Sequence, residues 1–192
     1  MPDSPASFEH PSDSALQDRE KMLPWAELEQ IVHLDPAGRG LASFRRDGAP
    51  LDAGQLRLAS LSLAKDARSV GIVTGFCVHS PQGIVAETDG PPGALFLART
   101  LVALGSDVCI ITDRVARPVI EHGIRLWQLE RVMLVEMPLF DSPIDAQRWT
   151  GEFFDSPRGR GLSHLVAVER PSPSHTLESL AAQHPSPEAF ER

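Results

Sequence analysis

The chain has 192 residues, 42% of them hydrophobic, which is enough apolar material for one continuous core and sets one domain as the expectation. A formal net charge of -8 without any Lys/Arg cluster argues against a nucleic-acid or anionic-membrane partner, because phosphate binding is driven by grouped cations. No run reaches the roughly 18 to 20 apolar residues that span a bilayer, and residues 1–20 have neither a basic start nor an apolar signal-type stretch, so a cytoplasmic protein is expected.

Residues 1–20, rich in Pro, Ser and Asp, bury too little apolar surface to offset ordering and read as a disordered arm ahead of an α/β domain over 21–176. Leu28, Ile31 and Val32 share one helical face and predict a short helix from Trp25 to Val32, after which "LDPAGRGLASF" reads as a loop. Asp52 is a suitable N-cap for a helix carrying Leu56, Ala59, Leu63 and Ala67 on one face. From there the chain alternates. "SVGIVTGF", "DVCIITD", "RVMLVEM" and "HLVAVER" are continuous apolar runs suited to strands covered on both faces. Between them lie a helix over 92–104 closed by Gly105, then "RPVIEHGIRLW", then "SPIDAQRWTGEFF". This predicts an α/β fold: a three-layer, mainly parallel, Rossmann-like sheet with helices on both faces. Four strands make a small sheet whose edges call for further strands or for a partner, and a homo-oligomer satisfies the second option. Cys77 and Cys109, lacking zinc-type spacing, are expected as small buried core residues.

In an open parallel sheet the ligand crevice lies beyond the carboxyl ends of the strands, so the polar residues just after each run are the candidates. These are Thr74 and Gly75, Asp113, Glu136, and Glu169 with Arg170. The turn "ETDGPPGA" adds Glu87, Thr88 and Asp89 to the same rim and leads into a helix whose first amides, at Gly90, Gly93 and Ala94, could face an anion. Asp89 or Thr88 is placed to cap that helix, Asp113 to cap the following one, and Glu169 to pair with Arg170 or Arg114. Glu87, Asp89, Asp113 and Glu169 brought together would repel unless they share protons or bind a cation, for which Mn or Mg is the natural hard-oxygen choice. His79, in the same loop, reads first as a solvated side chain. The dinucleotide reading fails, because residues 71–76 supply no third glycine opening a helix, and no GK[ST] is present for a P-loop.

"GIVTGFCV", "AETDGPPGALFLARTLVALGSDVCIITD" and "HLVAVERPSPS" together resemble the D-glutamate cyclase family over about residues 38–176. The resemblance implies a hydro-lyase that turns D-glutamate, a small amino-acid substrate, into 5-oxo-D-proline and water. On that reading Glu87, Asp89 and Glu169 are the catalytic set. Thr74, Gly75, Thr88, Gly90, Gly93, Asp113 and Arg170 bind substrate. The family's glycine after "ERP" is Ser172 here, and residues 177–192 read as a tail that begins a missing segment. The alternative is a catalytically incomplete small-ligand or cation-binding module on the same fold. A metal-dependent hydrolase using the acidic rim is a third option.

Overall fold

A computed structural model describes residues 21–38, 40, 43, 45–46, 48–50, 53–81, 83–140 and 142–170. The expected arm at 1–20, the tail at 177–192 and the Asp52 cap therefore lie outside the described residues. In chain order the elements are helix α1 (Trp25–Val32), strands β1 (Arg45–Arg46) and β2 (Ala49–Pro50), helix α2 (Gln55–Asp66), strands β3 (Ser69–Thr74), β4 (Cys77–Ser80) and β5 (Gly83–Ala86), and helix α3 (Gly90–Ala103). Then follow β6 (Asp107–Asp113), α4 (Arg117–Leu126), β7 (Met133–Met137), α5 (Pro143–Asp155), α6 (Pro157–Gly161) and β8 (His164–Val168).

The four apolar runs form one parallel sheet in the order β7-β6-β3-β8. Counted along the chain, these strands stand 3-2-1-4, the doubly wound order, so the expected α/β class holds. Its switch point falls between β3 and β8. Alternation along paired strands puts Val70, Ile72 and Thr74 on the same face as Val108, Ile110 and Thr112. Helix α3 buries Ala94, Leu95, Ala98 and Leu101 against that face, and Ile120 of α4 joins them. Fully burying a Leu or Ile side chain contributes roughly 2 kcal/mol, so this cluster dominates the apolar stabilisation. The right-handed crossover from β7 to β8 puts α5 and α6 on the second face, where Leu162 and Leu165 lie over Gly71. That face is thinly covered: Leu165 is 51% and Met133 44% exposed.

Three local readings need correction. The stretch after β3 is a hairpin in which β4 and β5 pair antiparallel, and Cys77 at its base is exposed because the hairpin stands off the sheet; Cys109 is buried as expected. Helix α3 starts at Gly90, two residues before the expected start. Gly54, in the left-handed conformation, occupies the N-cap position of α2. Among the described residues no helix is long and apolar enough to cross a membrane.

Candidate active site

The switch point falls between β3 and β8, and in sheets of this order ligands bind beyond the carboxyl ends of the strands at that point. Thr74 and Gly75 come from the end of β3, Glu169 and Arg170 from the end of β8. The β4–β5 hairpin returns to the rim at Glu87, whose amide donates to the Phe76 carbonyl at 2.8 Å and closes the hairpin base. Two residues later Asp89 and Gly90 begin α3. One carboxylate oxygen from each of Glu87, Asp89 and Glu169 lies within 4.8 Å of the other two. Glu87 is half-buried, and Asp89 and Glu169 are exposed.

Crowding of like charges splits the behaviour of these carboxyls. A hydrogen bond with Asp89 is the largest influence raising the Glu169 carboxyl, assisted by burial and by the charges of Asp89 and Glu87, against the Gly90 amide. The same hydrogen bond holds Asp89 below the usual aspartate range, with its own amide and that of Gly90 assisting against a desolvation cost. The two carboxyls are thus displaced in opposite directions, Asp89 favouring the ionised form and Glu169 the protonated one. Asp89 stands at the N-cap position with helical dihedrals and makes no capping side-chain bond, so the expected cap is not formed. Glu169 has a φ of 45°, a left-handed conformation that few side chains other than Asn and Asp adopt.

Gly90 is required by close approach. A Cβ there would stand 2.9 Å from Glu169 Oε2 and 3.0 Å from Thr74 Oγ1, so both atoms face one point beside the helix start. Thr74 is fully buried, and its hydroxyl has no partner among the described residues. Thr112, at the adjacent position on β6, is in the same condition. Two neighbouring buried hydroxyls left unpaired are costly, and such atoms are ordinarily satisfied by water or by the oxygen atoms of a ligand. Thr112 was absent from the sequence reading; its only signal was its place one residue before Asp113 at a strand end.

The other rim carboxylate is differently placed. Asp113, 5% exposed at its side chain, accepts from the Val115 and Ala116 amides at 2.9 and 3.0 Å through Oδ1, and from Arg170 Nη1 at 2.8 Å through Oδ2. Arg170 Nη1 also donates to the Gly75 carbonyl at 3.0 Å. Gly75 has a φ of +125°, and a Cβ there would lie 2.6 Å from Asp113 Oδ2. Asp113 therefore closes the turn that leads into α4 rather than forming the expected cap, since Ala116 holds the N-cap position without a side-chain bond, and it ties Arg170 to β3, apart from the acidic trio. Glu169 does not pair with Arg170 or Arg114 among the described residues. Glu136 faces Arg117 at 3.5 Å, away from the trio. Gly93 donates to the Asp89 carbonyl at 3.2 Å, so its amide is not open to an anion, and its missing side chain lets α3 approach Val168. Thr88 lies on an exposed bend, and His79 sits in β4 opposite Ile84.

A family model described as "D-glutamate cyclase-like, C-terminal" matches residues 28–183. The chain belongs to this D-glutamate cyclase-like family. The chain is also 36% identical over 157 residues to human "D-glutamate cyclase, mitochondrial"; the match covers 75% of this chain and 23% of that protein. No solved structure matches the chain significantly. Within the D-glutamate cyclase-like domain, Glu87, Asp89 and Glu169 also offer the all-oxygen set that a hard divalent ion such as Mn or Mg takes.

Proposed function

We propose that the protein is a D-glutamate cyclase-like hydro-lyase that converts D-glutamate to 5-oxo-D-proline and water. The observation that supports this reading is the convergence of Glu87, Asp89 and Glu169, whose carboxylate oxygens lie within 4.8 Å of one another, in a chain of this family. In the reaction the α-amino nitrogen attacks the γ-carboxyl carbon. A C–N bond forms and a C–O bond breaks. The two protons shed by the ammonium leave with the departing oxygen as water. Asp89, whose carboxyl is lowered, takes a proton from nitrogen, and Glu169, whose carboxyl is raised, gives one to the leaving oxygen. Transfer between the two carboxyls resets the pair, and a second round carries the second ammonium proton to the same oxygen. Glu87 keeps the Glu169 proton in place by its charge and faces the incoming ammonium. Arg170 and the unpaired Thr74 hydroxyl hold substrate carboxylate oxygens, and Thr88 and Gly90 border the bound chain. A small amino acid is thus the partner. A cytoplasmic setting belongs to the same reading, although the human relative is named mitochondrial.

The test is incubation of purified protein with D- and L-glutamate, with and without Mn²⁺ or Mg²⁺, and detection of 5-oxoproline. Formation from D-glutamate supports the reading, and none under any of these conditions overturns it. A second reading, a cation-binding module without turnover, is favoured by three carboxylate oxygens within 4.8 Å of each other. It predicts saturable Mn²⁺ binding in the absence of product.

A further inference from the structure

A second concavity lies away from the acidic rim. A cleft of about 730 Å³ opens at the amino ends of the strands and is lined by Ser69, Asp107, Arg131, Met133, Ser156 and Arg158, among others. Its volume lies within the roughly 300 to 1,000 Å³ typical of small-molecule sites. Ser69 begins β3 and Thr74 ends it. At about 3.3 Å per residue the cleft and the rim are therefore about 16 Å apart along that strand, at opposite ends of the sheet.

Two arginines mark the cleft in a chain whose net charge is -8. Among the described residues neither Arg131 nor Arg158 forms an ion pair, whereas Arg117, Arg148, Arg160 and Arg170 all do. Asp107 shares the cleft without pairing with either. Arg158 is half-buried, and its charge and hydrogen bond oppose the rise that burial imposes on the Cys109 thiol. A thiol is a weak partner for a group with five N–H donors, so a half-buried guanidinium held this way is under-compensated.

We propose that this cleft binds an oxyanion, a phosphate or carboxylate group on a small molecule, gripped by Arg131 and Arg158. A planar or tetrahedral group with several oxygens supplies the acceptors that the guanidiniums lack, and Ser156 and Ser69 border it from α6 and β3. The site is separate from the acidic trio and does not depend on the reaction assigned there.

The test is an NMR titration of the full-length ¹⁵N-labelled chain with inorganic phosphate and, separately, with succinate. Saturable shifts centred on the Asp107, Ser156 and Gly161 amides are expected. The double variant Arg131→Gln/Arg158→Gln should weaken binding about tenfold or more, the loss expected for removing charged hydrogen-bond donors. Arg158→Lys, which keeps the charge, should retain binding, and Glu169→Gln should leave it unchanged. Tighter binding of one probe identifies the source as a phosphate ester or a carboxylic acid, and equal binding identifies a general oxyanion site. Shifts that do not saturate, that persist in a folded double variant, or that centre on Gly90 would overturn the proposal.

Discussion

Glu169 and Arg170 are neighbours in sequence, yet they belong to opposite kinds of pair. Arg170 and Asp113 are unlike charges, largely buried, and joined at 2.8 Å, with two amides completing the carboxylate's bonds. Glu169 and Asp89 are both carboxyls, exposed, and set close enough to displace each other's titration in opposite directions. The first arrangement is one in which ionised groups are at rest; it fixes the end of β8 against β3 and closes the turn ahead of α4. The second is one in which a proton has two close owners, which suits transfer. The rim thus separates holding from chemistry between adjacent residues, and this division can be broken experimentally.

The largest expected effect is on stability. Asp113→Ala leaves the Arg170 guanidinium partly buried without its partner and should cost about 3 to 5 kcal/mol in denaturant unfolding. A cost below about 1 kcal/mol would show that the pair holds nothing. Next come Glu169→Gln and Asp89→Asn. Each should fold with unchanged unfolding midpoint and lose roughly a hundredfold in turnover of D-glutamate, about 2.7 kcal/mol of barrier. Full activity in Asp89→Asn would move the base to Glu87.

The third effect is on pH dependence. Turnover should fall as pH drops through the lowered Asp89 value, where the base becomes protonated, and again as pH rises through the raised Glu169 value, where the acid is lost. In Asp89→Asn the main cause of the Glu169 shift disappears, so the alkaline limb of the residual rate should move to lower pH. A limb that stays in place assigns it to another group. The smallest effect concerns Cys77, whose Sγ lies 3.9 Å from both Asp113 oxygens. If Arg170 and the two amides are what satisfy Asp113, Cys77→Ser should change stability by less than about 0.5 kcal/mol. Burial and the Asp113 charge also push this thiol up, so alkylation of Cys77 should be slower than that of a free cysteine at the same pH.

The sheet was legible because its strands are fully apolar runs separated by helices of ten residues or more, a pattern set by local burial. Strand order was not, since the pairing of β3 with β8 joins residues about 95 apart. The β4–β5 hairpin escaped notice because each strand has four residues and the turn is not of the Asn-Gly type that announces a hairpin. Missing it led to the wrong environment for Cys77. Helix α6, "PRGRG", looks like a loop by propensity and is held by Ser156, whose hydroxyl accepts from the Gly159 amide. At the site, the strand-end rule named Glu169 and the turn "ETDGPPGA" added Glu87 and Asp89, and the fold brings these three together. The rule gave no sign that Asp113 turns inward, because its partner Arg170 lies 57 residues away. The cleft at the amino ends was invisible for the same reason: Arg131 and Arg158 become neighbours only when α6 folds beneath the sheet.

The backbone at Glu169 carries one more implication. Its φ of 45° costs a non-glycine residue on the order of 1 kcal/mol, which glycine would not incur. Glu169→Gly should therefore raise the unfolding midpoint while abolishing turnover. A directed-evolution screen for heat resistance alone would collect glycine at position 169, and a screen for product would discard the same clones.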